Sequence, residues 1–121
     1  MDPTHDELAS RRCIPCEGHV PRLPAGDVQH YIRGLPGWII VDDYTRIRRE
    51  LSVKDFATAV DYFVRIGSLA EAAGHHPDLH LTRYRQVVIE LWTHAASGLT
   101  ENDFILAARI DELPIELAKS R

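Results

Sequence analysis

His75 and His76 stand side by side between Gly74 and Pro77, and a third histidine, His94, ends a later strand-like run. Imidazole is the side chain whose ordinary pKa lies nearest neutrality, so it can give or take a proton at physiological pH. Two imidazoles in a rigid frame, with a third beside them, could protonate a leaving hydroxyl and accept a proton from another atom of the same substrate. That is the requirement of a dehydratase. The same doublet also suits a plain helix ending, where the dipole favours positive charge, and His94 taken alone suits a strand end bonded to backbone. Spacing leaves both open. A metal is disfavoured, because adjacent histidines project differently and no third ligand stands at a recognisable local spacing.

The two cysteines form one CxxC, Cys13 and Cys16, followed by His19. They could supply half of a zinc site, with His19 and His5 as added ligands, or a redox pair. A closed zinc site needs a second ligand pair, and a thioredoxin-like motif opens a helix after a strand. Neither context is present, so an ordered N-terminal segment without chemistry is expected.

Composition bounds what these residues can serve. With 121 residues the chain holds one domain with a real core, and a net charge of −4 lacks the basic excess of a nucleic-acid binder. The longest apolar stretches, such as 38–41, fall far below the roughly 18 residues of a membrane helix. Residues 1–12 have no apolar core of the kind a signal peptide requires, so a cytoplasmic protein with reduced thiols is expected.

The elements that must position the histidines follow from periodicity. Residues 1–23, rich in proline, read as an extended segment carrying the CxxC, and 24–121 as a single domain. Val28, Tyr31, Ile32 and Leu35 have helical spacing that Gly34, Pro36 and Gly37 stop. Residues 38–44 and 45–52 are β-rich runs around Asp42 and Asp43, suggesting a hairpin. Ser52 to Asp55 has capping-box spacing, so a long helix is expected to begin there. Its apolar stripe reads as Val53, Phe56, Ala57, Val60, Phe63, Val64 and Gly67, and it runs to Ala73, where Gly74 and Pro77 end it. Two further strands follow, the second placing Val87, Ile89 and Leu91 on one face and Val88, Glu90, Trp92 and His94 on the other. Thr100 to Asp103 resembles another capping box, before a last helix apolar on much of its circumference. The order helix, strand, strand, helix, strand, strand, helix predicts an α+β fold: a four-stranded antiparallel sheet with three helices packed on one face. Two open sheet edges predict self-association as a dimer or tetramer.

Glu71, His75-His76-Pro77, Tyr84, His94 and Asp103, with the Leu35-Pro36-Gly37-Trp38 turn and the order of elements, resemble the pterin-4a-carbinolamine dehydratase family over roughly residues 24–113. The resemblance implies dehydration of a 4a-hydroxytetrahydropterin to a quinonoid dihydropterin, without a metal or a cofactor of its own. It places general acid/base catalysis on His75, His76 and His94, and substrate binding on Glu71, Pro77 and Asp103. For Asp103 the capping role is a sufficient explanation by itself. Glu71, a carboxylate near a helix C-terminus, sits where the dipole disfavours it, which favours a pairing or functional role.

The second half of the chain is also similar to dehydratase-like proteins associated with Rubisco in chloroplasts and alpha-carboxysome operons. That similarity implies an alternative, an inactive assembly factor with the Rubisco large subunit as partner and a carboxysome-associated location. His80 and the Arg83-Tyr84-Arg85 cluster are candidates for reshaping the pocket. The family's animal role with a homeodomain transcription factor finds no specific support in these residues.

Overall fold

The computed structural model describes residues 2–14 and 20–119. Cys16 and His19 lie outside the described residues. Where an extended lead-in was expected there is a short helix, α1 (His5–Ser10), which begins because the Thr4 side chain accepts a hydrogen bond from the Glu7 N–H. Its one apolar anchor, Leu8, is fully buried, and the Arg109 guanidinium of the last helix holds the carbonyls of Ala9 and Arg11. A short cap plus one buried leucine thus makes a helix that periodicity alone is too brief to reveal.

Helix α2 (Ala25–Ile32) leads into the hairpin of β1 (Ile39–Val41) and β2 (Arg46–Ser52). Asp42, Asp43 and Tyr44 turn it with left-handed backbone (φ 51°, 54° and 64°), a conformation that aspartate tolerates better than most residues. After helix α3 (Phe56–Ala73) come β3 (Asp78–Thr82), β4 (Gln86–Leu91), one 3₁₀ turn at His94–Ala96, and α4 (Glu101–Asp111). The sheet order is β1-β2-β4-β3, antiparallel throughout. The α+β class is as expected, with four α-helices among the described residues in place of three.

The expected start of α3 is corrected. Ser52 ends β2, its hydroxyl bonded to Gln86, and Asp55 is the N-cap, accepting from the Thr58 N–H at 2.8 Å. Val53 therefore precedes the helix and is buried in a bridge to Leu117. The expected stripe is also corrected. Phe56, Val60 and Val64 are 55%, 42% and 63% exposed, and Ala59, Tyr62, Ile66 and Ala70 face the core instead. This helix is apolar on two sides, so helical periodicity alone does not select the one that the core covers.

Period-two alternation sorts the sheet as expected. Ile47, Val87, Ile89 and Leu91 face the core, while Arg46, Arg48, Asp78, His80 and Glu90 stand on the other face. Arg49 is the charged residue on the inner side, and it is paired with Asp111 at the end of α4. Helix α4 is buried along nearly its whole length, with α1 and α3 packed against it, as its apolar circumference implied. Among the described residues no helix is long and apolar enough to cross a membrane.

Candidate active site

Helix α3 stops where its sequence says it must. Gly74 adopts a left-handed φ of 67°, and the His75 N–H turns back to the Ala70 carbonyl at 3.2 Å, the pattern of a Schellman ending. Pro77, which lacks an N–H, then sends the chain out into β3. The histidine doublet is thereby held on a short bridge between a helix and an edge strand. On the other side, β4 ends at Leu91, and a reciprocal bridge between Thr93 and Gly98 closes a tight turn with His94 at its head.

Between the two lies a cleft of about 400 Å³ lined by His75, His76, Pro77 and Asp78 from one side, Trp92, Thr93 and His94 from the other, and Asn102 from α4. Its volume falls in the range of small-molecule sites, roughly 300–1,000 Å³. All three histidines singled out in the sequence meet here.

Each imidazole is held differently. His75 Nε2 is 2.6 Å from Asp103 Oδ1; an ionised carboxylate can only accept, so that nitrogen carries the hydrogen. Asp103 is fully buried. Its second oxygen accepts from the Thr93 hydroxyl at 2.8 Å and from the Thr100 N–H at 3.0 Å, and the two threonine hydroxyls bond each other at 2.8 Å. The capping box read from Thr100 and Asp103 is therefore present, and the same carboxylate also fixes an imidazole. Asp103 is not among the residues that line the cleft and lies behind His75.

His76 is exposed, with Nε2 2.9 Å from Glu71 Oε1. Glu71 lies outside the cleft, in a neighbouring shallow groove that His76, Pro77 and Leu79 also line. His94 is exposed too, and among the described residues its ring has no hydrogen-bond partner; it lies against Trp92 with ring centroids 3.9 Å apart and the two ring planes tilted by 38°.

Sequence reasoning missed Trp92, Asp78, Thr93 and Asn102 as part of this site. For Asn102 no local signal exists: its side-chain amide accepts from the Ile14 N–H and donates to the Ile14 carbonyl, a pairing across most of the chain length. His80 and the 83–85 cluster do not line the cleft. His80 is 3.4 Å from Glu90 on the outer sheet face, and Tyr84 is exposed in the β3–β4 turn beneath the Arg85 guanidinium. Burial pushes the Glu90 carboxyl up, but hydrogen bonds from Arg48 and the charges of Arg46 and His80 outweigh it and hold it below its ordinary value.

His5 and Cys13 do not form a common ligand set. His5 lies 3.9 Å from Asp111 and Cys13 3.7 Å from the Asn102 carbonyl, at opposite ends of α4, roughly 13 Å apart along its axis.

A family model described as Pterin 4 alpha carbinolamine dehydratase matches residues 21–113. The chain is 42% identical over 113 residues to pterin-4-alpha-carbinolamine dehydratase 2, mitochondrial, of Arabidopsis thaliana; the match covers 91% of this chain but spans 60% of that protein. A crystal structure described as a transcriptional coactivator/pterin dehydratase from Brucella melitensis aligns with a TM-score of 0.70 at 33% identity, covering 74% of this chain and 95% of that one. A second structure, of a pterin dehydratase-like protein identified as a RuBisCO assembly factor in the alpha-carboxysome, aligns with a TM-score of 0.53 at 21% identity, covering 62% and 86%. That last likeness concerns the fold.

Proposed function

Because the chain belongs to the pterin-4a-carbinolamine dehydratase family, we propose that it is a hydro-lyase that removes water from a 4a-hydroxytetrahydropterin. The observation that carries the reading is the convergence of His75, His76 and His94, from two separate connections, on one cleft of small-molecule size. In the reaction the C4a–O bond breaks and an imidazolium gives its proton to the departing hydroxyl, which leaves as water. A second imidazole takes the proton from N5, and the N5 lone pair forms the N5=C4a bond of the quinonoid product. The substrate loses one water, with no oxidant or metal needed for the balance.

The chain's own residues serve that scheme in distinct ways. Asp103 keeps His75 in one orientation and compensates charge when the ring carries an extra proton, at no cost in accessibility because the carboxylate lies behind the ring. Glu71 offers His76 the same kind of partner at the surface. Pro77 fixes the backbone that carries both rings. Residues 24–121 form the dehydratase-like domain in this reading, with α1 of the 1–23 segment docked on α4.

The test is dehydration of a 4a-hydroxytetrahydropterin by the wild type and by His76→Ala. A positioned acid or base is worth about 10²–10⁴-fold, so the variant should fall by at least two orders of magnitude. A wild type no faster than buffer ends the reading.

We further infer self-association. Phe56, Val60 and Val64 recur every fourth residue along the exposed side of α3, and β1 and β3 leave two sheet edges open. Sedimentation velocity of Val64→Glu should show smaller species than the wild type. The Rubisco assembly reading has fold likeness as its support; it predicts more soluble assembled Rubisco on co-expression, and an unchanged yield counts against it. A cytoplasmic location accords with either activity.

A further inference from the structure

Of the three imidazoles, His75 and His76 each have a carboxylate, whereas His94 has the indole of Trp92. That indole is not loose. The Arg46 guanidinium of β2 sits 4.6 Å from its ring centroid, and its Nε1–H donates to Asp78 Oδ2 of β3 at 3.3 Å. Arg46 in turn is 3.2 Å from Asp42 and 3.9 Å from both Asp78 and Glu90. Glu90 is nearly buried and takes two hydrogen bonds from Arg48.

From these contacts we propose that Trp92 is a positioning residue for His94, and that Arg46 and Asp78 hold the indole where the third imidazole needs it. The outer sheet face then works as a scaffold for one wall of the cleft. A tryptophan at this register needs no such partners to serve as a surface residue. Side chains from two separate strands nevertheless contact this one indole, which also lines the cleft. An indole supplies a large rigid plane with two torsions to fix. It orients His94 without occupying either ring nitrogen, so both stay available for proton transfer. The kinetic consequence rests on the dehydratase reading, while the ring contact itself rests on geometry.

The proposal can be tested by following the His94 ring C–H resonances in the whole chain, assigned by their absence in His94→Ala. An indole at van der Waals distance shifts them upfield by its ring current. In Trp92→Leu they should lose that shift, and kcat should fall about tenfold as the ring wanders; Trp92→Phe, which keeps a ring, should restore at least part of both. Arg46→Met, which keeps the aliphatic stem, should move the Trp92 Nε1–H resonance and broaden those of His94. Unchanged His94 resonances in Trp92→Leu overturn the proposal whatever the activity. So does a lost shift with kcat equal to wild type, because the ring would then need no positioning. If Trp92→Leu does not fold, Trp92→Phe and Arg46→Met decide by the same resonances. A wild type without dehydratase activity whose His94 shift depends on Trp92 refutes the functional reading and leaves the positioning contact standing.

Discussion

Asp103→Asn separates the two tasks of one carboxylate. The aspartate takes three hydrogen bonds, from His75 on one oxygen and from Thr93 and the Thr100 N–H on the other. Asparagine is nearly isosteric, and its amide oxygen can keep the Thr93 and Thr100 bonds and with them the cap of α4. What changes is the His75 side, where an NH₂ now meets a ring nitrogen that must give up its hydrogen and accept. A hydrogen bond to a charged group is worth about 1.5–3 kcal/mol and a neutral one about 0.5–1.5 kcal/mol, so the net loss is about 1–2 kcal/mol. For a domain of this size that is about 4–8 °C in Tm. The catalytic effect should be larger. His75 would carry its hydrogen on the wrong nitrogen and lose its charge partner, which predicts a kcat lower by about 10²–10⁴. Asp103→Ala, by contrast, strips the cap and leaves buried donors unpaired, at about 3–5 kcal/mol, and should struggle to fold. The assay is the pterin dehydration rate alongside a thermal melt by circular dichroism. An Asn variant with wild-type kcat and an intact melt would refute the idea that Asp103 acts through His75.

Other outcomes follow from the same structure. Leu8→Ala opens a cavity under α1 and should cost about 2–5 kcal/mol, seen as a melt lowered by about 8–20 °C, whereas an extended, undocked lead-in would tolerate the change. Gly74→Ala places a Cβ at φ 67° and should cost about 1 kcal/mol in chemical denaturation, with a loss of activity because His75 and His76 hang from that turn. Glu90, held below the ordinary glutamate value by Arg48, Arg46 and His80 against the push of burial, stabilises the fold while ionised. Its contribution is present above the unfolded value near 4.3 and is lost as pH falls through the lower folded value. Denaturation midpoints should therefore be level from neutrality to about pH 5 and fall below about pH 4. Glu90→Gln should lower the neutral plateau and make that acid limb shallower, with Asp2 and Asp55, also lowered by their hydrogen-bond partners, accounting for what remains.

The family was legible because its signature is local. Gly74 and Pro77 around two histidines dictate a helix stop by steric rules that need no neighbours, and Thr100 with Asp103 dictates a cap in the same way. Strand alternation placed Val87, Ile89 and Leu91 inside because a period of two leaves one face to the core. The sequence misled where two local answers had similar energy. Helix α3 offers two apolar sides, and packing against the rest of the fold, with Tyr62 fully buried, decided which one is covered. Ser52 fits a cap as well as a strand end, and the ladder with Gln86 claimed it. Helix α1 forms because Leu8 finds α4, a contact made far along the chain.

Residue types and short spacings thus determined where the backbone must stop and turn, and which side chains could move protons. Only the tertiary structure decided that His75 rests on a buried carboxylate, that His94 rests on an indole held from the far face of the sheet, and that Asn102 reaches Ile14. Steric limits on φ and ψ act within a few residues and are written in the sequence. Hydrogen-bond partners of buried groups are chosen among whatever the packed layers bring within about 3 Å, and that choice exists only after the layers have met.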